Sequence, residues 1–281
     1  MALGLKYKNQ EQIFEEKIKN GVPYLSYPLF DRTGVVKHGF STRLGGVSTG
    51  CWSTMNISTT RGDNPVHVAK NRELIAQAIG VRPEDFTCTH QTHTTNVAVV
   101  HPGDKGKQFM ETDGLVTDVP GICLVTFYAD CVPLFFVDPV KKVIGLSHSG
   151  WRGTVGKIGK VTIEKMCRTY GCVPENILAA IGPSICQDCY EVSEDVIEQF
   201  KESFSENLWE SLFYRKENGR YQLNLWEANR QIFLESGIRM ENIAVTNLCT
   251  HCNPDILFSH RTMGGKRGNL SAFLALKEEQ A

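Results

Sequence analysis

The chain has 281 residues, 41% of them hydrophobic and 22% charged, with a formal net charge of −1. That composition supports a sizeable core and excludes a general attraction to polyanions, so no nucleic-acid partner is expected, while a local basic pocket for one small anion is allowed. No apolar run is long enough for a signal peptide or a membrane span, which predicts a cytoplasmic protein with no membrane partner.

No internal repeat, low-complexity tract or Pro/Gly/Ser-rich linker divides the chain. Residues 1–281 are therefore expected to form a single domain, with 1–20 a mobile arm or 11–20 a short helix. From His38 to Asn56 the text is rich in Gly, Ser and Thr and predicts a strand end followed by a long loop, a common place for function. The first clear helix is expected over 65–79: Asn64 can cap it, Pro65 suits its first turn, and Gly80 suits its end. Val68, Ile75, Ala78 and Ile79 supply its apolar face. Strands are expected at 96–100, 122–128, 134–137 and 143–147, where branched and aromatic residues cluster.

A helix is expected next over 154–170, closed by Gly171, with Val155, Ile158, Val161 and Met166 as its apolar face. A strand at 177–181 follows. Ser193 can cap a helix containing Val196, Ile197 and Phe200. Asn224-Leu225-Trp226-Glu227 resembles a capping box opening a helix that stops at Gly237. A strand at 243–246 and a final helix at 270–277 complete the list. Helices and strands are mixed along the chain, so the expected fold class is α/β, a mixed α+β sandwich.

Three polar segments at expected strand ends carry the chemistry: Thr89-His90-Gln91-Thr92-His93, Ala129-Asp130-Cys131-Val132-Pro133, and Ser147-His148-Ser149-Gly150-Trp151-Arg152-Gly153. Thiolate and imidazole together suit zinc, and three protein ligands leave a fourth position for water or substrate. The separations match no zinc finger. On the residues alone, the favoured reading is that His93 and His148 are satisfied polar groups and Cys131 a buried thiol. Arg152, at a glycine-flanked turn opening a helix, suits an anion or a carboxylate partner. Arg43 lies in a similarly Gly-rich loop, and Ser259-His260-Arg261 repeats the theme near the C-terminus, with Lys266 and Arg267 following.

The chain has ten cysteines. Four of them form two C-x-x-C pairs, Cys186/Cys189 and Cys249/Cys252. Paired motifs of this kind can make a structural zinc site, but the separation is longer than in a compact zinc ribbon. Plain thiols are the expectation.

The segments His38-Gly39-Phe40-Ser41-Thr42-Arg43, Gln91-Thr92-His93, Thr112-Asp113-Gly114-Leu115-Val116-Thr117, Ala129-Asp130-Cys131, Ser147 to Gly153, Ile181-Gly182-Pro183-Ser184, Cys189-Tyr190-Glu191-Val192 and Phe258-Ser259-His260-Arg261 occur together, in this order, in one family. From about Lys37 to Leu276 the chain resembles the YfiH/YlmD-type proteins, long described as multicopper polyphenol oxidases or laccases and now understood as zinc-containing purine nucleoside phosphorylases. The resemblance implies αββα-like layers related to the catalytic domain of cytotoxic necrotizing factor, a Cys-His deamidase. It implies one zinc held by His93, Cys131 and His148, with copper as an adventitious substitute. It implies purine nucleosides and phosphate as small-molecule partners: phosphorolysis of adenosine, inosine, guanosine and methylthioadenosine, and deamination of adenosine. Within that reading Arg43, Arg152 and Arg261 are candidates for phosphate and Asp130 for a proton shuttle. The chain departs from the family at Ser259-His260-Arg261-Thr262, where a second arginine is often found; Lys266 or Arg267 can replace it. Two readings compete with this one. A metal-free hydrolase would use Cys131 as nucleophile and His148 as base. A zinc-stabilised binding module would have no catalysis. A multicopper oxidase is excluded by the absence of any His-x-His pair.

Overall fold

The structure, a computed structural model, describes residues 3–278; residues 1–2 of the expected arm and 279–281 lie outside it. The chain opens with a hairpin of β1 (Glu15–Lys19) and β2 (Val22–Ser26), followed by the short helix α1 (Pro28–Asp31) and β3 (Val36–Ser41). After the long loop comes α2 (Pro65–Ile79), then β4 (Phe86–Thr89), β5 (Val97–Val99), β6 (Gln108–Phe109) and β7 (Gly114–Thr117). Strand β8 (Cys123–Tyr128) and the hairpin of β9 (Val132–Asp138) and β10 (Val143–Ser149) lead into α3 (Trp151–Val155) and α4 (Ile158–Tyr170). Next are β11 (Leu178–Ile181), β12 (Glu191–Val192), α5 (Glu194–Ser203), α6 (Trp209–Leu212), β13 (Phe213–Arg215) and β14 (Tyr221–Leu223). The chain ends with α7 (Leu225–Glu235), β15 (Ile243–Val245), α8 (His260–Met263) and β16 (Leu270–Leu276).

The strands form a seven-stranded sheet ordered β1-β2-β3-β16-β8-β4-β6 and a six-stranded sheet ordered β15-β11-β9-β10-β7-β5, with a small third sheet, β12-β14-β13. The two large sheets face each other. Leu124 of β8 and Leu270, Ala272 and Leu274 of β16 pack with Phe135 and Val137 of β9 and Ile144 and Leu146 of β10. The outer face of the first sheet carries Val125 and Phe273 against Ile75 and Ile79 of α2. The outer face of the second carries Leu134 and Phe136 against Ile163 and Met166 of α4 and Phe233 of α7. The result is the mixed α/β, αββα-layered class. Strands buried on both faces read as continuous apolar runs, which is why β8, β9 and β10 were legible in the sequence.

Several expectations need correction. Residues 270–277 are not a helix: Leu270–Leu276 is a fully buried strand between β3 and β8. Residues 11–20 are neither a helix nor a free arm. Glu15–Lys19 pairs antiparallel with β2, and the Lys6 and Lys8 amides donate to Asn253 Oδ1 and Asn247 O. The helix expected over 154–170 is two helices, broken at Gly156 and Lys157. A Cβ at Gly156 would lie 2.5 Å from Thr95 Cγ2, so glycine lets this corner close onto the loop before β5. Asn224 accepts from the Glu227 amide, but the Glu227 carboxylate turns to Arg230 and Gln231, so only half a capping box forms.

Candidate active site

The three polar segments meet at one end of the two sheets. Gln91 fixes the first: its side chain accepts from the Phe127 amide at 2.8 Å and donates to the Phe127 carbonyl at 2.7 Å, tying the loop after β4 to β8. Cys131 sits where the chain passes from β8 in one sheet to β9 in the other. His148 lies on β10, just before the turn into α3.

Asp113, in the residue before β7, joins two of these segments. Its buried carboxylate accepts from the backbone amides of Thr92, His93 and Thr94 at 2.9–3.1 Å and from the Thr94 hydroxyl at 2.9 Å. It also pairs with His148 Nδ1 at 2.8 Å, which leaves Nε2 for another partner. The loop is held so firmly that His93 keeps a positive φ of 63°, and Asp130, beside Cys131, one of 84°. The ligating atoms of His93, Cys131 and His148 lie within 4.8 Å of one another, with His93 Nε2 and Cys131 Sγ 4.0 Å apart. Gly150 makes the close approach possible: a Cβ there would lie 3.0 Å from His93 Cδ2 and 3.2 Å from Cys131 Sγ.

Burial alone would push the Cys131 thiol up. The His148 charge, with hydrogen bonds from His148 and His93, outweighs burial and brings the thiol down to about 6. Burial would likewise lower His148, but Cys131 and Asp113 raise it to about 9. Asp113 is opposed by burial and still held near 2 by His148 and the Thr94 and Thr92 amides. These groups favour a thiolate beside an imidazolium, and a cation can take the place of the proton between them. Two imidazoles and a thiolate, with one imidazole oriented by a carboxylate, form a set that suits a borderline-soft divalent metal.

Two lobes open from this point. One is polar and is lined by Ser58, Thr60, Arg61, His90, Arg267 and Asn269. The other is mostly apolar and is lined by Trp151, Arg152, Tyr190, Leu225 and Arg261. His93, Ala129 and Cys131 border both.

The expected site residues fare differently. Arg152 lies against the Trp151 ring, 4.3 Å from its centre, in the second lobe. Arg261 lines the same lobe, donates to the carbonyls of Cys189 and Glu191, and covers Tyr190. Arg43 lines neither lobe. Its guanidinium donates to the carbonyls of Ser53 and Pro254 and stacks on Phe258, so it braces the long loop. Asp130 is engaged on both oxygens, by the Thr250 hydroxyl at 2.5 Å and the Arg261 amide at 2.6 Å, which is a structural tie and not a free proton shuttle. Arg267 reaches the polar lobe, while Lys266 is exposed outside it. Sequence reasoning missed Arg61 and gave Asp113 no role. Arg61 stands in a hydroxyl- and glycine-containing loop like that of Arg43, and Asp113 immediately precedes an apolar strand run.

A family model described as multi-copper polyphenol oxidoreductase laccase matches residues 37–277. The chain belongs to this family. It is 37% identical over 248 residues to the purine nucleoside phosphorylase YlmD of Bacillus subtilis, covering 85% of this chain and 88% of that one. It is 39% identical over 260 residues to a purine nucleoside phosphorylase of Deinococcus radiodurans, covering 92% and 95%. It is 36% identical over 237 residues to adenosine deaminase RL5 from an unknown prokaryotic organism, covering 82% and 90%. The crystal structure of YlmD from Geobacillus stearothermophilus superposes with a TM-score of 0.88 at 31% identity, covering 95% of this chain and 99% of that one. No helix among the described residues is long and apolar enough to cross a membrane.

Proposed function

We propose that this chain is a zinc-dependent purine nucleoside phosphorylase acting on adenosine, inosine, guanosine and methylthioadenosine, with adenosine deamination as a second activity, and that it works in the cytoplasm. The observation that carries the reading is the His93–Cys131–His148 group at the junction of two lobes of different chemistry, in a chain whose relatives are named for both activities. The same group argues against the multicopper label: among the described residues it is the only metal-sized cluster that contains histidine.

In phosphorolysis the bond from the anomeric carbon to the purine nitrogen breaks as one to a phosphate oxygen forms, and the departing base takes up a proton. Phosphate must be placed, and its charge matched, before the reaction. The polar lobe suits phosphate. Burial, then the charge of neighbouring Arg61, lowers Arg267 to about 10, and buried Arg267 Nε and His90 Nδ1 have no hydrogen-bond partner. An anion there would relieve the repulsion and satisfy both atoms. The second lobe suits the purine, with Trp151 and Tyr190 as aromatic surfaces and Leu225 as an apolar wall. Bound zinc would supply Lewis-acid polarisation of a purine or phosphate oxygen, or a nucleophile derived from water for deamination. Arg152 and Arg261 border the purine side, and Asp130 holds the Arg261 backbone.

The test is adenosine with and without phosphate, with Cys131→Ala alongside. Adenine and ribose 1-phosphate formed only with phosphate, and absent with the variant, support the phosphorylase; inosine formed without phosphate supports the deaminase. Untouched adenosine overturns the proposal. Arg61→Ala and Arg267→Gln divide the two lobes. Loss of a charge-assisted hydrogen bond, worth about 1.5–3 kcal/mol, should raise the KM for phosphate roughly ten- to a hundredfold while phosphate-free deamination persists. An equal fall in both activities would remove phosphate from that lobe.

One observation favours a second reading. Asp113, His148 and Cys131 are arrayed as orienter, base and low-pKa thiol, the constellation of a metal-free cysteine hydrolase. Such an enzyme keeps its activity through chelation, whereas the zinc enzyme loses it.

A further inference from the structure

A second cluster gathers four thiols that the proposed reaction does not use. Cys186 caps and Cys189 ends the short turn Gln187–Cys189 after β11, and Cys249 and Cys252 belong to the turn after β15. The fold closes the gap between them. Ser184 and Cys249 form an isolated parallel bridge, the Ser184 amide donates to Leu248 O, and the Thr250 amide donates to Ser184 O. The two C-x-x-C turns therefore lie side by side, and all four Sγ atoms fall within 4.8 Å of one another, with Cys189 and Cys252 3.5 Å apart. The Cys186 amide donates to Cys249 Sγ at 3.3 Å, a contact that stabilises a thiolate.

Cysteines used only as small apolar filling need volume, not convergent sulfurs. Ile185, Cys186 and Cys249 form a small buried cluster of their own, against which Cys189, Cys252, Tyr190 and Trp226 pack. Tetrahedral zinc with Zn–S bonds near 2.3 Å sets its sulfurs about 3.8 Å apart, which matches this spacing. An iron–sulfur cluster inserts its own iron and sulfide between the thiolates and needs a wider ring.

We propose that Cys186, Cys189, Cys249 and Cys252 bind one zinc ion in a closed, structural tetrathiolate site. Four thiols lose their protons on binding, so the site carries two net negative charges. The Cys186 N–H, and the Lys8 ammonium, which pairs with Asp188 at 2.9 Å and lies within electrostatic reach of Cys186 and Cys252, offset part of that charge. With all four positions filled by protein, the ion has no place for substrate. Its effect is to hold one wall of the purine-side lobe. The Ile185 amide donates to Asp130 O, the Thr250 hydroxyl to Asp130 Oδ1, and Arg261 Nη1 to Cys189 O, so both clamped turns act on residues that shape the cleft.

The test counts metal in the full chain purified under reducing conditions without chelator. Two zinc ions per wild-type chain are expected, and one in each of Cys252→Ser and His93→Ala. Wild type also decides without any variant. In brief alkylation read by mass spectrometry, the four cysteines should be protected together and become reactive together as one zinc is withdrawn by chelator. One zinc per wild-type chain with these four thiols freely alkylated overturns the proposal, as does iron at this position or a disulfide among the four. The outcome is independent of the nucleoside reading, because the metal count and thiol protection are read without any substrate.

Discussion

Asp113 shows how one side chain can organise a site that its neighbours in sequence only suggest. Its two oxygens take three amides and a hydroxyl from the 92–94 loop and an imidazole from β10, so it fixes both histidines of the candidate metal group. Asp113→Asn presents an NH2 group to donors that need an acceptor. Loss of an orienting partner typically costs ten- to a hundredfold in metal affinity, and that loss is expected here in competition with a chromophoric chelator, with the far-ultraviolet circular dichroism unchanged. Unaltered affinity would show that the loop and His148 hold their places unaided. Arg43 shows the opposite relation between sequence and site. An arginine in a Gly-rich loop reads as an anion ligand, but Pro254 and Phe258, more than two hundred residues away, occupy its guanidinium. Which arginine faces a cleft is decided by contacts of that range, and local sequence does not contain them.

At the scale of elements, the sequence was most legible where local chemistry and tertiary packing agree. The helix Pro65–Ile79 begins at Asn64, whose side chain accepts from the Val66 amide, and ends at Gly80 in the left-handed region, as its capping residues predict. The strand Leu270–Leu276 was misread because Leu and Ala are strong helix formers and a fully buried strand has no polar alternation to betray it. Its alternation is visible only in the fold: Leu270, Ala272 and Leu274 face the second sheet, and Phe273 and Ala275 face α2. Pairing with β3 on one side and β8 on the other then overrides propensity. Phe273 is fully buried, with its ring 5.4 Å from that of Phe86. Phe273→Ala is therefore expected to cost about 3–5 kcal/mol in urea unfolding, as a core cavity in a central strand does. A loss within experimental error would be incompatible with a strand in the middle of the first sheet.

Over the whole molecule, the layered architecture followed from mixed helical and strand patterns, whereas the N-terminal hairpin did not, because β1 is a charged edge strand with little apolar signal. That hairpin helps to bury a histidine whose protonation state bears on global stability. His38 lies on β3 beneath α1, stacked on Tyr27 and edge-on to Phe30, and its Nε2 accepts from the Tyr27 amide at 2.8 Å. The proton of the neutral ring therefore sits on Nδ1, which has no hydrogen-bond partner and lies 3.8 Å from an Asp31 oxygen. Burial dominates and lowers His38 to about 4; Asp31 opposes it, and Lys17 and Lys277 reinforce it. The unfolded chain takes up a proton near pH 6.5 that the folded chain refuses until about pH 4, so stability from this residue is present above that window and declines as pH falls through it. At ~1.4 kcal/mol for each tenfold difference in proton affinity, the loss reaches at most about 3.5 kcal/mol. Asp31, lowered by Lys17 and His38 against its own burial, adds an acid-labile contribution in the same direction but at lower pH. His38→Gln keeps an acceptor for the Tyr27 amide and removes the titration. Denaturant unfolding of wild type should thus weaken steadily between pH 6.5 and 4, and the variant, whatever its stability at pH 7, should show a flatter slope across that interval. Equal slopes would mean that His38 is protonated within the fold, with Asp31 as its partner.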